Sequence, residues 1–350
     1  MHSTRSILVS LLVLATPALA GAAGTVKPPE QQQWPFDGVL GNIDKPSVQR
    51  GLQVYKEVCS ACHGIKRVPF RSLQQIGLSE AEVKAFAAEY TVMDGPNDDG
   101  EMFERPGRPS DRFPSPYPND KAARAAQNGA LPPDLSLIVK ARPDGANYIY
   151  SLLTGYEDAP TYRCEKVEDG ACVKFKRLKG EAAKDALAAQ KEADAAAMKL
   201  AADEAKEAAE GDADAKTPAP AEPAKPEVTV GRIFQCSAIG HSEEASEDGS
   251  MREVESCTEM GNGMHYNPYF PGGQIGMAAP IADGQVTYQD PKTPTDKQQI
   301  VRDVVNFLQW AAEPEMVERK RMGIKVMLFL AIMTGIFYLV KKRIWSNLEH

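Results

Sequence analysis

The sequence predicts a mainly α protein, an exported helical domain with long loops held to a membrane by one C-terminal transmembrane helix. Three observations carry that prediction. A short apolar leader opens the chain, a long apolar segment closes it, and between them helical periodicity recurs while little has the alternation of a strand.

The leader, "MHSTRSILVSLLVLATPALAGAAG", sets Arg5 ahead of an apolar run from Ile7 to Ala15, then Pro17 and the small-residue site Ala18-Leu19-Ala20. This is the pattern of a secretory signal peptide over 1–20, with an apolar run short for a spanning helix. Residues 21–321 are then expected on the exported side. The closing segment, "MGIKVMLFLAIMTGIFYLV", runs from Met322 to Val340 between "ERKR" and "KKRIW". At about 1.5 Å per residue it covers roughly 28 Å, close to the hydrocarbon thickness of a bilayer. Basic residues flank both ends, so the positive-inside bias does not orient it; the leader does, and leaves the 341–350 tail in the cytoplasm.

A net charge of −8 makes nucleic acid an unsuitable partner and basic proteins suitable ones. Residues 27–46 are rich in Pro and Gln and form an extended lead-in. A helix is expected from Ser47 as N-cap through "VQRGLQVYKEV", with Val48, Leu52, Tyr55 and Val58 on one face. Ser79 followed by Glu82 is a capping box opening "SEAEVKAFAAEY". The stretch from Met93 to Asp120 is dense in Gly, Pro and Asp and is expected to be loop. Helical pattern resumes at "DKAARAAQNGA", "DLSLIVKAR" and "GANYIYSLLTGY". From Gly180 to Pro226 the composition shifts to Ala, Glu and Lys with almost no large apolar groups, which predicts a solvated, partly helical arm and a Pro-Ala linker.

Four cysteines, Cys164, Cys172, Cys236 and Cys257, flank this insert, and export makes disulfides the default. Short-loop closure favours Cys164 with Cys172 and Cys236 with Cys257. The alternative joins the two sides of the insert and clamps its base.

The other two cysteines stand in "VCSACHGIKRV", which packs Cys59, Cys62 and His63 into five positions. A thioredoxin-like dithiol opens a helix after a strand, and here the pair ends a helix. A zinc site needs a second paired motif, and the later cysteines are spaced otherwise. Covalent haem attachment fits: thiols at i and i+3 take the two vinyl groups of one porphyrin, and the adjacent histidine binds iron. The domain is therefore expected to be a c-type cytochrome haem domain with one covalent haem c. Its chemistry turns on the sixth ligand, because a methionine thioether raises the potential for electron transfer whereas an open position suits ligand chemistry. Met93, Met102, Met260, Met264, Met277 and His265 are the candidates. Met277 stands out within "PGGQIGMAAPI", where small residues permit close approach to a flat ring.

The pieces "VCSACHGIKRVPFRSL", "NGALPPDLSLIVKAR", "YIYSLLTGY", "YNPYFPGGQIGMAAPI" and "FLQWAAEPEMVERKRMGIKVM" resemble, in order, the cytochrome c1 family of the ubiquinol:cytochrome c oxidoreductase, complex III. The resemblance implies thioethers at Cys59 and Cys62, His63 as proximal and Met277 as distal ligand, Arg142 and Tyr148 near a haem propionate, and "PPDLS" lining the pocket. It also implies one-electron relay from the Rieske iron–sulfur protein to cytochrome c, with cytochrome b as a further partner, in a dimeric complex of the bacterial inner membrane. Such a chain is an electron-transfer subunit and no catalyst on its own. One departure is the separation of Tyr156 from Asn267 by about 110 residues, short in mitochondrial relatives. Asp94, Asp98, Asp99, Glu101 and Glu104 are expected to steer a basic cytochrome c. The alternatives are a membrane-anchored cytochrome c of another respiratory chain, a periplasmic haem enzyme such as a peroxidase, and a haem-bearing assembly subunit.

Overall fold

The computed structural model describes residues 26–210, 228–245 and 251–346. The expected leader, the Pro-Ala linker and the last four residues of the tail lie outside the described residues. Helix α1 (Lys45–Val54) starts two residues before Ser47, with Asp44 at its N-cap and Pro46 in its first turn, where a missing N–H costs nothing. Ser47 is inside the helix and buried, and its hydroxyl donates to Asp303 at 2.6 Å. The cap expected from sequence is thus spent on a contact more than two hundred residues away.

The next turn, Tyr55–Cys59, widens into a π-helix that closes with Ser60 N–H donating to the Tyr55 carbonyl at 2.8 Å. A 3₁₀ segment, Phe70–Ile76, precedes α2 (Glu80–Ala88), whose capping box has both bonds: Glu82 N–H to Ser79 Oγ at 3.3 Å and Ser79 N–H to Glu82 Oε2 at 2.7 Å. Residues 93–120 depart from the loop expectation. Strands β1 (Thr91–Asp94) and β2 (Phe103–Pro106) form an antiparallel hairpin. Arg105 ties it down by pairing with Asp94 and with Asp111.

Helices α3 (Asp120–Ala126), α4 (Ile138–Ala141) and α5 (Gly145–Thr154) follow. A second departure comes next. Strands β3 (Thr161–Glu168) and β4 (Ala171–Leu178), the long helix α6 (Glu181–Glu210), and strands β5 (Ile233–Ala245) and β6 (Met251–Glu259) build a four-stranded antiparallel sheet in the order β4-β3-β5-β6. The protein is helical with a substantial sheet lodged in the insert region. Bulges near Cys164 in β3 and after Cys236 in β5 break the two-residue alternation on which strand recognition depends. Disulfides join Cys164 to Cys172 across β3–β4 and Cys236 to Cys257 across β5–β6. Helix α6 is largely exposed and rests on the sheet through Arg232 with Asp194 at 3.5 Å.

The chain returns through the short pair β7 (His265–Tyr266) and β8 (Gln274–Ile275) to α7 (Lys297–Ala312) and α8 (Met316–Trp345). Helices α1 and α7 form the centre of the core. They approach so closely that a Cβ on Gly51 would lie 2.1 Å from the Asp303 carbonyl oxygen. At this crossing Asp303 is fully buried and accepts from Arg50 through both oxygens, each at 2.8 Å, while Asn306 donates to Ser47 at 2.7 Å. Tyr55, Phe70, Phe113, Phe307 and Trp310 pack around it. Helix α8 begins in the same core at buried Met316 and leaves it as a continuous helix long and apolar enough to cross a membrane.

Removing one partner of a buried ion pair leaves the other charge without compensation. Arg50→Ala is expected to lower stability by about 3 kcal/mol, with partial recovery in Arg50→Lys, in urea unfolding followed by circular dichroism.

Candidate functional site

The π-turn delivers Cys59 to the end of α1, and the chain then folds back on itself. Cys62 N–H and His63 N–H both donate to the Cys59 carbonyl, at 3.1 and 2.9 Å. Tyr55, one turn earlier, donates its hydroxyl to the His63 carbonyl at 2.9 Å. The turn is therefore held from below by the core. Neither Cys59 nor Cys62 is in a disulfide, so both sulfurs are available for attachment.

His63 is oriented by a distant segment. Its Nδ1 lies 2.8 Å from the Pro133 carbonyl oxygen, which only accepts, so Nδ1 carries the proton and Nε2 keeps a free lone pair. Burial holds the imidazole below its ordinary pKa, outweighing the Pro133 carbonyl and Asp134, and keeps it neutral. The same segment is locked to the motif at three further points. Asp134 accepts from Lys66 N–H and Ser136 N–H, both at 3.0 Å; Leu135 N–H donates to the Gly64 carbonyl at 2.8 Å; Ser136 Oγ accepts from Arg67 N–H at 3.1 Å. Gln127, at the start of this segment, reaches Cys62 Sγ at 3.4 Å. Lys66 and Arg67 themselves are exposed.

The Met277 loop meets the other side of the sequence "QNGALPP". A Cβ on Gly276 would sit 3.3 Å from the Ala130 Cβ and 3.9 Å from Met264 Sδ, so only the bare backbone fits there comfortably. Met277 is half-buried, and its carbonyl accepts the Tyr156 hydroxyl at 3.0 Å. Burial, with Tyr148 nearby, pushes the Tyr156 hydroxyl far above its ordinary pKa. Tyr148 is buried in turn, and the exposed Arg142 stands at its hydroxyl and partly offsets the upward shift that burial causes. Arg142, Tyr148, Tyr156 and the Met277 backbone thus form one chain of neighbours.

Of the other sixth-ligand candidates, Met264 comes to this loop. Met260 ends the β6 region and donates its N–H to the Gln235 carbonyl at 3.0 Å, and His265 is exposed on β7. Met93 and Met102 stay with the β1–β2 hairpin, each 58% exposed. Asp94 is engaged by Arg105, which holds its carboxyl, and that of Asp111, below the usual range. That stabilisation is complete above the ordinary carboxylate pKa and is lost only as pH falls through the lowered values. Asp98, Asp99, Glu101 and Glu104 remain exposed.

Two positioning residues were not singled out by sequence reasoning. Tyr156 is one. Gln274 is the other: it donates to Ser237 Oγ at 3.0 Å and the Glu259 carbonyl at 2.9 Å, and accepts from Gly261 N–H at 2.8 Å. It pins the Met277 loop to the insert sheet. Neither bond leaves a local pattern, since the partners are 121 and 37 residues apart.

The family model described as "Cytochrome C1 family" matches residues 34–184 and 247–348, and leaves most of α6 and all of β5 between them unmatched. The chain is 37% identical to cytochrome c1 of Rhodospirillum rubrum over 99% of its own length and 98% of that protein's. It is 37% identical to a mitochondrial cytochrome c1 haem protein of Solanum tuberosum over 97% of this chain and 94% of the relative. A "Cytochrome b/c1" of Bradyrhizobium diazoefficiens is 38% identical over 93% of this chain, which spans 36% of that longer protein. The protein is a c-type cytochrome carrying covalently bound haem c. It belongs to the cytochrome c1 family, the haem electron-transfer subunits of complex III.

The residues present fit that group. Two unbridged thiols, a neutral histidine with only Nε2 left to donate, and a glycine-walled loop bearing a thioether supply soft and borderline donors suited to iron.

Asp134 is the side chain that closes this site without touching a donor atom. Asp134→Ala removes the acceptors of an exposed and a partly buried backbone N–H and is expected to cost about 1 kcal/mol, read as earlier loss of the haem Soret band in thermal melts. Asp134→Asn, which keeps one acceptor oxygen, is expected to recover part of it.

Proposed function

We propose that the chain relays one electron from the Rieske iron–sulfur protein to cytochrome c through a haem that Cys59 and Cys62 would hold as thioethers, with His63 Nε2 and Met277 Sδ supplying its iron ligands. The observation that carries this reading is the shared backbone segment 127–136. It fixes the His63 tautomer at one end through Pro133 and backs the Gly276–Met277 loop at Ala130. Haem supplies a one-electron ferric–ferrous couple. The protein supplies the rest. A neutral His63 donates without competing proton uptake, the Met277 thioether favours the reduced state, and Tyr156 restrains the Met277 backbone so that the sulfur stays available. Arg142, backed by buried Tyr148, is the cation for a propionate.

The topology we propose is a signal peptide over 1–20, a periplasmic domain over 21–321 carrying the 180–226 insert, a span over 322–340 and a cytoplasmic tail over 341–350, in the bacterial inner membrane. The continuous exit of α8 from the core supports the anchor. Cytochrome b and the Rieske protein are the proposed partners in a dimeric complex, and the fused name of the Bradyrhizobium relative favours cytochrome b as a neighbour.

Asp98, Asp99, Glu101 and Glu104 form the acidic surface proposed to steer cytochrome c; Asp94 is withdrawn from it by Arg105. Replacing those four by their amides is expected to slow cytochrome c reduction several-fold at low salt and to flatten its ionic-strength dependence. Stopped-flow reduction across a salt series checks this, and an unchanged rate and slope would remove the surface from the account.

A further inference from the structure

Between the extended lead-in and α1 the chain makes a compact turn, "WPFDGVLGN", with a buried base and a bare tip. Trp34 and Phe36 are stacked, ring centroids 5.5 Å apart, and both are buried. Asp37 N–H donates to the Trp34 carbonyl at 3.1 Å, Asp37 Oδ2 accepts from Trp34 N–H at 3.0 Å, and Asn42 N–H closes onto the Pro35 carbonyl at 2.9 Å. The turn is therefore fixed. At its tip Val39 is 70% exposed and Leu40 85%, the two highest values of any large hydrophobic side chain among the described residues, above those on α8. Scattered apolar side chains on a surface need no explanation. Two adjacent ones, held out on a rigid turn at greater exposure than a membrane-spanning helix presents, do.

The position of the turn supplies that explanation. Lys320 Nζ donates to the Phe36 carbonyl at 2.6 Å and to the Gly38 carbonyl at 2.7 Å. Lys320 lies two residues before Met322, where the apolar stretch of α8 begins. The turn is thus clamped to the collar of the anchor, at the level where hydrocarbon gives way to headgroups, with Arg321 beside the clamp in sequence, while Arg319 pairs with Glu313 at 2.9 Å. The clamp uses backbone carbonyls alone, while the Asp37 carboxylate at the base of the turn accepts from Trp34 N–H. Apolar side chains next to basic ones at such a level suit the interfacial region.

We propose that Val39 and Leu40 insert into the lipid interface, making the Phe36–Asn42 turn a second membrane contact. Rotation of the haem domain about the α8 axis is then restrained by two points, and the haem edge keeps a fixed attitude to the membrane. This inference rests on the reading of α8 as a membrane anchor, and its test separates the two.

The haem-loaded full chain takes a nitroxide spin label at Leu40→Cys, with all six native cysteines held in thioethers or disulfides. Ile332→Cys in the middle of α8 is the lipid reference and Asp98→Cys on the hairpin the water reference. In vesicles of phosphatidylcholine with phosphatidylglycerol, collision with oxygen and with a water-soluble nickel chelate is measured by power saturation. The label at position 40 is expected to favour oxygen over nickel several-fold more than the label at 98, approaching the label at 332. A position-40 label that matches 98 overturns the proposal while a lipid-exposed 332 keeps the anchor. A label shielded from both probes overturns it too, because the occupant is then protein. A water-exposed 332 overturns the anchor and the proposal together. Leu40 makes no core contact, so an unchanged haem spectrum is expected in its variant.

Discussion

The bond between His63 Nδ1 and the Pro133 carbonyl, 2.8 Å long and spanning 70 residues, is the constraint on which the rest of the site depends. It fixes the tautomer, and with it which ring nitrogen keeps its lone pair. It also draws the segment 127–136 across the Cys59-Cys62-His63 motif, where Asp134, Leu135 and Ser136 complete the lock through backbone N–H groups. Those bonds are to main chain, so the site is positioned by backbone geometry more than by side-chain identity. A carbonyl acceptor cannot be deleted by substitution at its own residue. Proline at 133 has no N–H to offer a competing partner.

Around that lock the fold provides two supports of different kinds. From below, α1 and α7 carry the motif on a crossing made tight by Gly51 and satisfied by Asp303, Arg50, Ser47 and Asn306. From the side, the insert sheet holds the Met277 loop through Gln274, and the Cys236–Cys257 disulfide staples the two strands from which Ser237 and Glu259 reach that glutamine. The sheet is thus coupled to the site, and one of its strands, β5, falls outside the stretches matched by the family model. Helix α6 has the opposite character. Among the described residues, its long polar surface rests on the sheet through Asp194 with Arg232 and Gln190 with Ile233 N–H.

How much of this the sequence discloses follows from the range of each interaction. The Ser79–Glu82 capping box, the Cys59-Cys62-His63 motif and the apolar run in α8 are local patterns, and the helices they mark are present. Met277 is conspicuous by its small neighbours, and of these Gly276 packs against Ala130. The misses share a cause. Ser47 has the chemistry of an N-cap, but a buried carboxylate on α7 claims its hydroxyl. Asp94 looks like free surface charge until β1 pairs with β2 and brings Arg105 to it. The strands β3 and β5 pair across a thirty-residue helix and are bulged, so neither period nor proximity announces them. Tyr156 and Gln274 act on backbone atoms far along the chain and leave no trace in composition.

The central claim is that iron in this protein is bound between His63 and Met277 and works as an electron carrier. The most direct test is the redox midpoint of Met277→Leu measured beside the parent, with carbon monoxide binding to the reduced form. Loss of a thioether that stabilises ferrous iron predicts a sharply lower midpoint and a newly CO-reactive haem. An unchanged midpoint with no CO binding would contradict the account and return the sixth position to Met264, the other thioether at the Gly276 loop.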